Sequence, residues 1–275
     1  MSFSYCVLPK RAVLKIEGAD RLDFLQGLIS NDVHKITPQK AIYSAFLTPQ
    51  GKFLCDFFIA QDGDALLLDI DEDAMPAFKK KLTMYKLRAD VSIKDISEEY
   101  HVLAAFGAPC DQDGVFEDPR LAEAGYRAIL PKEQTIEDAE EVPFETYDLM
   151  RIKLGLPDGA RDMTVERSIL LENGFDELNG VDWNKGCFMG QELTARTKYR
   201  ALIKKRLFPV LVEGELPEPG TTITNGDKNV GEVHSGRGDM ALATLKLDAL
   251  EGDLQAGNAK LTPQKPDWMV LPESA

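Results

Sequence analysis

The chain lacks any closely spaced pair of cysteines. Its four, Cys6, Cys55, Cys110 and Cys187, are scattered over 275 residues with no Cys-x-x-Cys among them. Zinc and iron–sulfur sites draw on clustered thiolates, so no self-contained metal site is expected. A disulfide framework is equally unexpected in a reducing compartment. Histidine is scarce: His34, His101 and His234 have no second His or Cys at ligand spacing. Basic residues are outnumbered, 32 Lys and Arg against 46 Asp and Glu, for a formal charge of −14. That balance excludes general attraction to nucleic-acid phosphates or an anionic bilayer. No apolar run nears the roughly 20 residues of a membrane-spanning helix. Residues 1–11 show neither the apolar core of a signal peptide nor an arginine-rich transit pattern. A cytoplasmic protein with no membrane and no direct nucleic-acid partner is expected.

What is present suits a soluble chain of two or three domains. Residues 12–17 alternate like a strand, and Asp20 is placed to cap a helix carrying Leu22, Leu25, Leu28 and Ile29. Residues 41–48 and 53–60 read as strands joined by a Pro49-Gln50-Gly51-Lys52 turn. A strand over 65–70, a helix over 72–85 and a strand over 89–93 follow. This irregular order predicts an α+β fold instead of a doubly wound parallel sheet. Residues 117–148 are crowded with acids, Asp118 and Asp148 among them, and read as a solvated connecting surface. Pro143 is placed to open a helix over 144–154, with Gly155 to close it. From about Leu207, short strands over 207–213, 229–233 and 240–247 alternate with proline and glycine turns, the pattern of a small β-barrel. The expected division is residues 1–95, 96–200 and 201–275.

The densest cluster of unusual features is Lys185-Gly186-Cys187-Phe188-Met189-Gly190-Gln191-Glu192. Two glycines bracket a cysteine, and good helix formers follow. The pattern predicts a tight loop that delivers Cys187 near a helix N-terminus, where unpaired N–H groups and the positive dipole end favour a thiolate. Lys185 would act in the same sense, and Gln191 and Glu192 would supply polar groups on the first turn. A glycine-flanked structural cysteine is the plainer alternative.

This segment resembles the K-G-C-[YF]-x-G-Q-E signature of the YgfZ family, relatives of the glycine-cleavage T-protein. The likeness extends through Ile16–Asp20, Phe24–Leu28, Asn31–Val33, Leu47–Lys52 with Asp56, and Arg151, Ile152, Gly155 and Pro157. It implies a T-protein-like fold, three domains around a central folate cavity, the last a β-barrel. It implies tetrahydrofolate, or a one-carbon derivative, as cofactor, and a role in assembling or repairing iron–sulfur proteins, including tRNA-modifying enzymes. The implied partners are folate and iron–sulfur proteins or their assembly factors, and Cys187 becomes the candidate reactive thiol.

Further candidates follow from the resemblance. Tyr147 and Arg11 stand where some relatives place tryptophans near the folate, Tyr147 to stack on the pterin, Arg11 to stack or to pair with the folate glutamate. Asp56 is the one residue near the T-protein catalytic aspartate. Lys153 stands where relatives often carry an acid, and Ala201 replaces a glycine after Arg200. Arg196 and Arg200 belong to a basic stretch ending at Arg206, read either as a solvated edge or as an anion site for the folate tail. The competing readings are a folate-dependent aminomethyl- or methyltransferase, and a scaffold that docks a partner through this stretch.

Overall fold

The computed structural model describes residues 3–200 and 203–271. Ala201, and with it the expected domain boundary, lies outside the described residues. Strand β1 (Ser4–Val7) comes first and pairs far ahead in sequence. Next come β2 (Arg11–Glu17) and the short helix α1 (Arg21–Gln26). Asp20 occupies the N-cap position, but its carboxylate accepts from the Asp90 amide at 2.8 Å, not from the helix. The hairpin expected about Pro49–Lys52 joins β3 (Ile42–Leu47) to β4 (Phe53–Asp62), closed by the Thr48 amide on the Lys52 carbonyl. Following it are β5 (Ala65–Asp71), α2 (Met75–Lys86) and β6 (Ser92–Asp95).

β2 to β6 form one antiparallel sheet in the order β3-β4-β5-β2-β6. One face carries α1 and α2 through Leu25, Phe78 and Leu82. The other buries Tyr43 and Phe58 against Leu171 and Phe175. With both faces covered, β3 to β5 bury nearly every residue, so their sequences run apolar without a clean alternation.

A second five-stranded sheet holds β7 (Tyr100–Phe106), β8 (Val115–Glu117), β9 (Tyr126–Pro131) and β10 (Glu140–Glu141), with β1 inserted between β10 and β7. The N-terminal strand therefore crosses the expected division at residue 95. Helix α3 (Phe144–Leu154) starts after Pro143 and ends on Gly155, whose φ of +74° lets its amide reach the Arg151 and Ile152 carbonyls. α4 (Gly159–Asp162) and α5 (Gln191–Tyr199) follow. The intervening segment is laid on β3: the Asn31 side-chain amide donates to the Tyr43 and Asn179 carbonyls, each at 2.7 Å.

The rest is a closed six-stranded barrel: β11 (Lys205–Glu213), β12 (Thr222–Asn225), β13 (Lys228–Arg237), β14 (Met240–Lys246), β15 (Leu254–Ala256) and β16 (Ala259–Pro263). A bulge between Val233 and Gly236 carries β13 beyond its expected end. Trp268 donates from its indole to the Leu154 carbonyl at 2.8 Å, fastening the barrel to α3.

Candidate functional site

The signature loop is held on the first sheet by reciprocal bonds. Lys185 Nζ donates to the Gln26 and Ile29 carbonyls at 2.6 and 2.5 Å. The Gln26 side-chain amide returns a bond to the Lys185 carbonyl, and the Met189 amide donates to the Gly27 carbonyl. Burial lowers the Lys185 pKa to about 8 against the opposing charges of Asp32 and Asp182. The ammonium expected beside the thiol is thus committed to the end of α1, because those carbonyls have no helical partner of their own.

Gly190 is the N-cap of α5, with φ of +83°. A Cβ there would fall 2.7 Å from the Thr48 carbonyl oxygen and 2.9 Å from Gly51 Cα, so only glycine lets the loop lie on the hairpin turn. Cys187 stands three residues before that cap, and its side chain is exposed. Gln191 opens the helix, while Glu192 pairs outward with Arg196 at 2.7 Å.

The other thiols differ in kind. Cys6 and Cys55 are buried, and burial raises Cys6 to about 12 and Cys55 well above its usual value. Burial also raises Cys110, which is half-buried. Iodoacetamide at pH 7.5 should therefore modify Cys187 first, Cys110 more slowly, and Cys6 and Cys55 only on unfolding. Peptide mass spectrometry against time checks this order; labelling of Cys55 at the Cys187 rate would contradict it.

A second group lies where the two sheets and α3 meet. Asp69 on β5 takes Arg11 on one oxygen and Arg127 on the other, both at 2.5 Å. Arg127 and Arg120 each donate to the Tyr147 hydroxyl at 3.3 Å, and Arg120 pairs with Asp118 at 2.7 Å. Both guanidiniums also cover the Phe58 ring, Arg127 at 3.8 Å and Arg120 at 4.9 Å. Beside them Tyr43 donates its hydroxyl to Asp56 Oδ2 at 2.8 Å. Burial pushes Asp56 up to about 6, against the pull of Arg11. Its Oδ1 accepts none of the described hydrogen bonds, and Arg127 Nε is buried without a partner. A cavity of about 530 Å³ opens beside Arg120, lined also by Asn31, Lys35, Lys40, Asp118 and Asn179.

The structure brings Arg11, Asp56 and Tyr147 into one neighbourhood but gives two of them other partners. Arg11 is spent on Asp69 and is not free for a folate carboxylate. Tyr147 is 4% exposed, and its hydroxyl orients two guanidiniums, so it offers no open face for stacking. Arg196 on α5 and Arg200 at its C-cap are exposed, and no described hydrogen bond, ion pair or ring contact joins them or Cys187 to Asp56. The basic stretch is largely self-neutralised: Arg196, Lys198, Lys205 and Arg206 pair with Glu192, Asp176, Glu172 and Glu177. Lys153 is exposed. The acid-crowded segment is not all solvated surface, since Asp118 and Asp148 are buried ion-pair partners.

Tyr43, Asp69, Arg120, Arg127 and Gly159 escaped sequence reasoning. One signal was available: Asp69 interrupts the apolar run Leu66–Ile70, and Arg127 stands inside the otherwise uncharged strand Tyr126–Pro131. Gly159 carried none; a Cβ there would sit 1.9 Å from Asp56 Oδ1.

The two sheets and barrel give the fold of an aminomethyltransferase. The glycine cleavage system aminomethyltransferase T of Bartonella henselae superposes with a TM-score of 0.76 over 98% of this chain and 86% of that one, at 14% identity. Residues 204–271 match the family described as CAF17, C-terminal beta-barrel domain. The chain is similar to the mitochondrial iron–sulfur cluster assembly factor IBA57 of Mus musculus, 31% identical over 95% of this chain and 84% of the relative, and to that of Homo sapiens, 30% identical over the same shares. A homologue from Mycosarcoma maydis is 37% identical over 74% of this chain, which spans 56% of that relative's length. The chain belongs to the IBA57 family of iron–sulfur cluster assembly factors. These relatives are mitochondrial proteins, which overturns the cytoplasmic expectation.

Proposed function

We propose that the protein supports the assembly or repair of iron–sulfur proteins as a YgfZ-type factor, presenting Cys187 to a partner protein. The observation that carries this is an exposed thiol on a glycine-set, lysine-anchored loop in a chain of this family. Among the described residues no three His, Cys, Asp or Glu side chains gather as a metal site. A cluster handled through Cys187 therefore draws its other ligands from the partner. tRNA-modifying enzymes are among the clients the signature suggests.

We propose tetrahydrofolate as the ligand of the sheet junction, on the strength of two polar atoms there that lack a described hydrogen-bond partner. A pterin offers a donor edge and a carbonyl oxygen, the complements of Asp56 Oδ1 and Arg127 Nε. The cavity beside Arg120 is proposed to take the rest of the ligand, with Lys40 at hand for its glutamate in place of Arg196 and Arg200, since Lys35 is paired with Asp182. Bound folate would supply a one-carbon carrier or a structural filler; Asp56 would hold the pterin edge and Tyr43 would fix the carboxyl's orientation. The Asp56 pKa of about 6 also favours a second reading, a folate-dependent aminomethyl- or methyltransferase with Asp56 as acid–base group.

In a strain lacking the gene, Cys187→Ser should fold normally yet leave iron–sulfur enzyme activities at the deletion level. Full rescue by a stable Cys187→Ser protein would end the thiol reading. Calorimetry should find one tetrahydrofolate per chain, weakened at least about tenfold in Asp56→Asn. No heat at millimolar ligand would remove folate, and turnover of a one-carbon donor would favour the transferase.

A further inference from the structure

α2 differs from the rest of the chain in charge. Between Asp73 and Asp90 lie Lys79, Lys80, Lys81, Lys86 and Arg88 and no acid, in a chain of formal charge −14. None of the five forms an ion pair among the described residues, whereas four cations of the Arg196–Arg206 stretch do. The inner face of the helix is spent on the core through Phe78 and Leu82. Its outer end leaves Met84 67%, Tyr85 41% and Leu87 87% exposed.

Leu87 adds a second, independent sign. It ends the helix at φ 47°, ψ −108°, a conformation glycine reaches freely and leucine does not. A leucine here strains the backbone and shows its side chain to water, and it joins none of the hydrophobic clusters of the described residues. Tyr85 rests edge-on against Phe46, Phe46 bridges to Ile29, and the Ile29 carbonyl takes Lys185. The exposed end of α2 and the Cys187 loop are thus fastened to the same edge of the first sheet.

We infer that the outer face of α2, with Lys80, Lys81, Met84 and Tyr85, together with Leu87 and Arg88 just past its end, docks an acidic partner protein that covers Leu87 with an apolar side chain. The inference rests on the reading that Cys187 serves a partner protein. Against a formal charge of −14, a run of five cations unpaired among the described residues attracts an acidic partner to this helix, so it sets the partner's orientation as well as its affinity. A bilayer fits less well: the apolar face of α2 lies in the core, and the chain as a whole is repelled by anionic lipid.

The test is fluorescence anisotropy with a labelled synthetic helix bearing Glu on one face and Leu on the other. The intact protein should bind it, about tenfold more weakly at 300 mM than at 50 mM salt. Lys80→Glu/Lys81→Glu/Arg88→Glu should weaken binding about tenfold or more. Leu87→Gly should weaken binding with Tm unchanged or raised, a combination a purely structural leucine would not give. The synthetic helix reports on α2 alone and enzyme rescue by Cys187→Ser on the thiol, so failure here leaves the assembly role untouched. The inference is overturned by no binding, by binding indifferent to both variants, by unfolding of Leu87→Gly, or by tighter, equally variant-sensitive binding to phosphatidylglycerol vesicles.

Discussion

Asp148→Ala is expected to destabilise the protein by about 3–5 kcal/mol, a fall of roughly 10 °C in melting temperature. The carboxylate is fully buried and accepts from three guanidiniums: Arg151 Nε at 2.8 Å, Arg161 at 2.6 and 3.1 Å, and Arg237 at 3.2 and 3.1 Å. These arginines come from α3, α4 and β13, so one side chain joins the central helices to the barrel. Alanine would leave the buried Arg151 and the half-buried Arg161 and Arg237 repelling one another. Arg151 keeps a close second acid, Asp162, at 2.9 Å, whereas Arg161 and Arg237 keep only the distant Asp158 and Glu145, at 3.8 and 3.9 Å. Asp148→Asn should cost less, since one oxygen still accepts. Burial raises the Asp148 pKa, but the Arg161 hydrogen bonds and the charges of Arg151 and Arg161 outweigh it and leave it below the ordinary value. Asp69, Asp118 and Asp162 are likewise lowered by their arginines against burial. A carboxylate lowered on folding stabilises above its unfolded pKa, about 3.9. That contribution is lost as pH falls through the lower, folded values. The parent should therefore hold its stability down to about pH 4 and lose it steeply below, and Asp148→Ala should show a shallower acid limb. Denaturant melts from pH 7 to pH 2 measure both; an unchanged limb in the variant would remove Asp148 from the acid response.

Local signals carried much of the architecture. The Thr48–Lys52 hairpin, the Pro143 start and Gly155 stop of α3, and the proline- and glycine-punctuated barrel are each set by a few adjacent residues with one cheap backbone solution. The joining of the units was not legible. β1 pairs with β7, whose residues lie about a hundred positions on, and nothing in Ser4–Val7 names that partner. The Asp20 carboxylate was readable as a helix cap only until the Asp90 amide competed for it.

The site divides in the same way. Lys185 to Glu192 is contiguous, so its loop and the helix after Gly190 could be read directly. What the lysine bonds to could not, because the Gln26 and Ile29 carbonyls lie over 150 residues away in sequence. The buried ion network is wholly non-local. Asp69, Arg127, Arg120 and Tyr147 stand on four separate segments, and a charged residue in an acidic stretch reads as solvated until its partner is seen. Arg11 and Tyr147, named by resemblance, do stand at one junction, linked through Asp69 and Arg127, but the role suggested for each ignored the neighbours that occupy it.

Gly190→Ala should be the most damaging single change in the signature, costing about 2–4 kcal/mol and abolishing rescue of iron–sulfur enzyme activity. Two effects add. The residue holds φ +83°, which strains any L side chain, and the new methyl would lie 2.7 Å from the Thr48 oxygen, 2.9 Å from Gly51 Cα and 2.9 Å from Leu47 Cβ. The first two atoms belong to the backbone of a closed turn, and cannot yield as a side-chain tip would. The loop must lift, pulling Met189 from the Gly27 carbonyl and Lys185 from the end of α1. Gly186→Ala is the matched control: its φ is +91°, but nothing lies within 4 Å of the added carbon. It should cost about 1 kcal/mol of backbone strain and leave the loop on the hairpin with Cys187 still presented. Cys187→Ser completes the set, with parental Tm and no rescue. Melting temperature, Cys187 alkylation rate and enzyme rescue then separate fold, placement and chemistry. Gly190→Ala loses stability and rescue and alters the alkylation rate, Gly186→Ala loses little of any, and Cys187→Ser loses rescue alone. A stable Gly190→Ala protein with full rescue would show that the close approach to the hairpin has no part in presenting the thiol.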